Sequence, residues 1–122
     1  MPIQASLANA WLNTLRNVAV SYAQIYVSLH TADPGNTGAN EVTGGSYARQ
    51  LVTFNAPANS SMSNSADLVF SDMPEVTVTH VGLWTAASGG TFLWGGPLTT
   101  SRTLQAGDAL VIAAGNLTLS IS

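Results

Sequence analysis

From Tyr22 onward the chain is cut into short runs of apolar and β-branched residues, each closed within roughly ten residues by a cluster of Gly, Pro, Asn or Ser. Runs this short cannot make stable helices, and they carry the two-residue alternation of strands, so most of the chain must solve its packing by pairing strand with strand. Residues 22–30 show the pattern best. Ala23, Ile25, Val27 and Leu29 fall on one face, which is the expected core, while Tyr22, Gln24, Tyr26, Ser28 and His30 fall on the other.

Further strands are expected over residues 47–54, 68–70, 77–84, 91–94, 109–112 and 117–121. The segments TVTHVGLW (77–84) and TFLW (91–94) should pair as a hairpin across the turn residues 86–90, with Trp84, Phe92 and Trp94 facing one another. Gly95-Gly96-Pro97 should then end or bend the second strand. Residues 55–67, NAPANSSMSNSAD, have the composition of an exposed loop or arm. About seven strands with no helical pattern between them predict a mainly β, single-domain antiparallel sandwich or barrel.

One helix precedes this β-domain. Leu7, Trp11, Leu12, Leu15 and Val18 recur at spacings of three and four, with Ser6 placed as N-cap, Arg16 in the last turn and Asn17 able to take the left-handed position after it. The expected organisation is therefore helix and linker over residues 1–20 and β-domain over 21–122. The apolar stripe either packs on the domain's own sheet or docks on a neighbouring subunit, in which case Leu7, Trp11 and Leu15 carry the contact.

Charge narrows the functional classes. Asp, Glu, Lys and Arg make up 7% of the chain, against about 25% in soluble domains. The three cations are all arginine. Surface polarity must come from Thr, Ser, Asn and Gly, which suits a subunit whose faces are largely covered by partners or one that binds through a low-charge surface. A net charge of −3 without a basic run leaves nothing to drive nucleic-acid binding by counterion release. No apolar run approaches the ~20 residues that cross a bilayer, and the N-terminal residues lack the basic and apolar regions of a secretory signal, so an unanchored protein without membrane contact is expected. With no cysteine there is neither a disulfide nor a thiolate metal site.

The scarce charges gather in one place. Residues 29–49, LHTADPGNTGANEVTGGSYAR, hold His30, Asp33, Glu41 and Arg49 in what reads as a long loop between two strands. His30, Asp33 and Glu41 are ordinary metal-ligand types, yet their spacing matches no metal motif, and Gly35 stands where a calcium loop would place its next oxygen ligand. Asp33, Asn36 and Asn40 read instead as turn-capping residues around Asp33-Pro34-Gly35-Asn36. Arg49, next but one to Tyr47, can grip Glu41 with both arms of its guanidinium and close the loop, or it can reach a neighbouring subunit. His30, Asp33, Pro34, Asn36, Asn40, Glu41, Tyr47 and Arg49 are thus the candidate contact loop.

Catalysis finds no support. Ser46 follows Gly44-Gly45 outside any nucleophile-elbow pattern, and Asp72 and Glu75 flank a Met-Pro turn. His80 lies mid-strand, where a histidine bonded at the edge of the core is expected. Neither a catalytic residue nor a cofactor is expected. An exposed tryptophan pair would be the one carbohydrate platform available.

The strings YVSLHTADPGNTGANEVTGGSYARQ, VTHVGLWTAASGGTFLWGGPL and LQAGDALVIAAGNLTLSI, in this order, resemble a family of small tailed-phage virion proteins, often labelled tail fibre or virion structural protein. The resemblance spans most of residues 7–121. It implies a non-enzymatic structural subunit of a siphovirus infecting actinobacteria or similar hosts, located in the virion. A compact domain without a long shaft suits a capsid decoration or minor head protein that binds and stabilises the lattice of the major capsid protein, a role that implies a homo-oligomer, with a trimer the form expected on the shell. The alternative is a tail-tip or tail-fibre module that touches the host surface.

Overall fold

The computed structural model describes residues 9, 12, 15, 24–56, 58 and 61–120. Eight strands follow in chain order: β1 (Ile25–His30), β2 (Gln50–Val52), β3 (Ser61–Ser63), β4 (Leu68–Phe70), β5 (Val76–Trp84), β6 (Phe92–Leu104), β7 (Leu110–Ile112) and β8 (Thr118–Ser120). They form a four-stranded sheet in the order β2-β1-β5-β6 and two separate pairs, β3-β8 and β4-β7, all antiparallel. The mainly β, antiparallel class is as expected, and the sheets do not close into a barrel.

Alternation builds the core. Val27 and Leu29 of β1, Val81 and Leu83 of β5, Val52 of β2 and Trp94 of β6 point to one side of the large sheet, where they meet Leu68 and Phe70 of β4 and Leu110 and Ile112 of β7. Fully burying side chains of this size contributes about 1.5–3 kcal/mol each. In β4 and β7 the intervening residues, Val69 and Val111, point outward.

Strand β6 runs far beyond the expected 91–94. Gly95, Gly96 and Pro97 stay in register with Gly82, Val81 and His80 instead of ending the strand. Proline is tolerated because β6 is an outer strand of the sheet, where the missing N–H breaks no ladder. The register shifts between Leu83 and Trp84, making Leu93 the extra residue of a bulge. Trp94 is therefore opposite Leu83 in the core, while Trp84 pairs with Phe92 on the other face, so the expected cluster of three aromatic rings is divided between two faces.

Residues 61–64 are not loop. Ser61–Ser63 pair with β8, Phe54 bridges to Asn64, and Asn64 is completely buried. Its amide donates to the carbonyls of Ala66 (2.9 Å) and Ala113 (3.1 Å), and its Oδ1 accepts the Leu117 N–H at 2.9 Å. Those partners fix which way the amide faces. A serine-flanked methionine carries little strand signal, which is why composition suggested a loop.

Of the expected N-terminal helix, Asn9 and Leu12 are helical and Leu15 lies in a turn, its N–H donating to Leu12 C=O at 3.1 Å. Leu12 and Leu15 are 61% and 82% exposed, so at these two positions the stripe does not pack on the domain's own sheet. Leu7 and Trp11 lie outside the described residues.

Candidate functional site

The second face of the large sheet is also covered. Tyr26, Ser28 and His30 of β1 stand on it beside Trp84, Gly82 and His80 of β5, their register partners. Sequence alternation assigns this face to solvent, yet Ser28 and His30 are both 0% exposed. The cover is the loop over residues 31–41, which folds back until Glu41 bridges to His30 and the Val42 N–H donates to Leu29 C=O at 2.9 Å.

Close approach makes this possible. A Cβ on Gly82 would lie 2.8 Å from Phe92 and from Ser28 Oγ, and one on Gly95 would lie 2.7 Å from the ring of Pro34, which is buried in the loop. Gly38, at φ +76°, brings its backbone against the Trp84 ring, where a Cβ would overlap the indole. These glycines let a loop lie flat on the sheet where side chains would hold it off.

Beneath the loop runs a chain of hydrogen bonds. His30 Nδ1 is 2.7 Å from the Ala39 carbonyl oxygen, which can only accept, so Nδ1 carries a proton. The Trp84 Nε1–H donates to Ser28 Oγ at 2.9 Å, leaving the Ser28 hydroxyl to donate to His30 Nε2 at 2.6 Å. Burial, the largest influence, lowers the His30 pKa below its ordinary 6.5 and outweighs the raising effects of the Ala39 carbonyl and Glu41. The serine–histidine distance is one that a nucleophile and base adopt, but both side chains are sealed and the serine oxygen already accepts the indole proton. The arrangement holds a loop and presents no nucleophile to a substrate.

A second network closes the loop at its base. Arg49 Nε donates to Glu41 Oε2 and Nη2 to Glu41 Oε1, both at 2.9 Å, forming the bidentate fork expected from sequence. Nη1 donates to the carbonyls of Ala86 (3.0 Å) and Gly89 (2.8 Å) in the β5–β6 turn, and Cζ lies 3.8 Å from the centroid of the Trp84 ring. The Tyr47 hydroxyl donates to Glu41 Oε2 at 2.7 Å and accepts the Leu29 N–H at 3.0 Å. Burial acts to raise the Glu41 pKa, but the hydrogen bonds from Arg49 and Tyr47 prevail and lower it; burial and then Glu41 push the Tyr47 phenol upward. Arg49 thus uses its donors within its own chain, on Glu41 and the β5–β6 turn.

The loop's outer half is ordered by its own backbone and short side chains. Asp33 Oδ1 accepts the Gly35 N–H at 2.8 Å, and the amides of Gly38 and Ala39 donate to Pro34 C=O, each at 3.0 Å. Asn40, left-handed at φ 64°, donates from Nδ2 to Asp33 C=O at 3.1 Å. Asp33 and Asn40 cap the turn as expected, while Asn36 stands exposed in it. The His30, Asp33 and Glu41 polar groups face different partners, and no group of three or more His, Cys, Asp or Glu gathers among the described residues. His80 is half-buried, with Nδ1 2.8 Å from Thr79 Oγ1. Trp84 and Trp94 are both buried, 9% and 3% exposed, so neither forms a carbohydrate platform.

Sequence reasoning missed Ser28, Gly38, Gly82, Trp84 and Gly95 as parts of this site. The available signal was Gly82 within an apolar strand and Gly95 after Trp94, both marks of close backbone approach.

The model of the family described as podophage GP4 fiber I protein gp80 matches residues 2–120. The chain belongs to this family. Its description is one of podophage fibre proteins, which corrects the expected siphovirus origin and supports a structural role in the virion. It also favours the fibre over the capsid decoration expected from the compactness of the chain. No curated protein matches the chain.

Proposed function

We propose that the protein is a fibre component of a podophage tail that contacts the host surface, and that the loop over residues 31–41 is a contact element. The family match across residues 2–120 carries this reading, because it places nearly the whole chain, and not one borrowed segment, in a fibre family. The geometry supports it. Thr31, Ala32, Asp33, Gly35, Asn36, Thr37, Ala39 and Asn40 are exposed on a loop whose base is fixed by Glu41, Arg49 and His30. A surface ordered before binding loses less conformational freedom on contact. The role is structural and non-catalytic.

Antibody labelling of intact virions, together with adsorption competition by the purified protein, tests the proposal. Label on the tail and slower virion adsorption to the bacterium on which the phage plaques are expected. Label distributed over the capsid shell would overturn the reading and restore decoration.

A further inference from the structure

Among the described residues, two apolar surfaces remain uncovered, and the charges near them in sequence are opposite in sign. The first is the outward face of the β4–β7 pair. Val69 and Val111 are direct register partners, 46% and 41% exposed, and Ala109 and Ala113 flank Val111 at strand spacing, also exposed. Asp67, Asp72 and Asp108, all exposed, stand within two residues of the ends of the two strands, Asp67 at the strand spacing of Val69. Asp67 Oδ1 accepts the Ala114 N–H at 2.8 Å and Asp108 Oδ2 the Gln105 N–H at 2.8 Å.

The second surface is the N-terminal stripe. Leu12 and Leu15 project from the body at 61% and 82% exposure, and the sequence pattern adds Leu7, Trp11 and Val18 to the same stripe. The only side chain among Asp, Glu, Lys and Arg in residues 1–23 is Arg16. An apolar stripe whose segment carries one cation thus has its counterpart in an apolar strand face with three aspartates near its strand ends.

We propose that the N-terminal segment of one copy covers the outward β4–β7 face of a second copy, so that the protein assembles by exchange of arms. The occupant is a second copy because Leu12 and Leu15 stand clear of the body in the single chain. Exchange removes Leu12, Leu15 and the Val69–Val111 pair from water together. The sparse charge of the whole chain fits a surface that is covered in use.

Because the chain contains no cysteine, disulfide trapping is clean. Leu15→Cys protein mixed with Val69→Cys or Val111→Cys protein and oxidised should give a covalent species of twice the chain mass, formed much less in any single variant alone. The paired variant Val69→Thr/Val111→Thr, which keeps the β-branched shape, should shift the protein to monomer in light scattering while leaving the unfolding of the β-domain unchanged. Arg16→Glu should weaken association about fivefold at low salt and less at high salt. Preferential Leu15→Cys self-linkage, an intrachain disulfide in the Leu15→Cys/Val111→Cys double variant, or a monomer that gives no cross-link would each overturn the proposal.

Discussion

The Arg49 guanidinium lies 3.8 Å from the centroid of the Trp84 ring, and the two side chains together join three parts of the molecule. Through Glu41 the arginine holds the 31–41 loop, and through the carbonyls of Ala86 and Gly89 it holds the β5–β6 turn. Through Ser28 the indole reaches the imidazole of His30, which in turn holds Ala39. Loop and hairpin are therefore expected to loosen together.

Arg49→Lys keeps the charge and loses the fork. A lysine can reach the Glu41 carboxylate or the turn carbonyls but cannot serve all of them in a plane above the indole. A loss of about 2–3 kcal/mol in urea unfolding is expected, with faster amide exchange in both residues 31–41 and 85–91. Exchange that rises in the 31–41 loop alone would break the proposed linkage.

Stability should fall in two stages on acidification. The His30 pKa is depressed, so the folded protein keeps the imidazole neutral while the unfolded chain takes up a proton near pH 6.5. Its contribution is complete above that pH and is lost as pH falls toward the folded value. Glu41 is also depressed, so its contribution is complete above its ordinary 4.5 and is lost below it. His30→Gln should abolish the first stage and leave the second, as read from urea midpoints between pH 7 and pH 3. Nitrogen chemical shifts should show His30 protonated at Nδ1 and bare at Nε2 at neutral pH.

Gly82→Ala places a methyl group where Phe92, Ser28 and His30 already are. A cost of about 1–3 kcal/mol is expected, with loss of the His30 tautomer signature because the loop must lift. The same substitution at Gly115, where a Cβ meets nothing within 4 Å but φ is +86°, should cost only the backbone strain of about 1 kcal/mol and leave that signature intact.

Asn64→Asp is nearly isosteric and should still be severe. It turns an acceptor toward the carbonyls of Ala66 and Ala113, which now receive hydrogen bonds from the amide. Thermal unfolding should fall by the equivalent of about 3 kcal/mol at neutral pH and recover partly in acid, where the carboxyl can donate again.

Much of the architecture was legible because alternation reports burial on one face. It placed β1 and the hairpin of β5 with β6, matched Leu68–Phe70 as a strand, and assigned Val27 and Leu29 to the core. The same rule failed at Ser28 and His30, because whether a second face meets water depends on where the loop over residues 31–41 comes to rest, and alternation carries no such information. The Glu41–Arg49 pair could be read from scarcity, since a chain with so few charges has few ways to neutralise an arginine. Its extension to Trp84, Ala86 and Gly89 could not, since backbone carbonyls leave no trace in side-chain identity. Asn64 was hidden for the opposite reason: among so many serines and asparagines one buried amide looks like all the exposed ones.

The division of the 31–41 loop into a fixed base and an exposed turn separates two kinds of selection. Glu41, Arg49, Tyr47, His30 and the glycines beneath the loop answer to folding, whereas Asn36 and Thr37 carry no buried group and answer only to what they touch. Those outer positions can therefore vary widely, and the domain beneath them will fold as before.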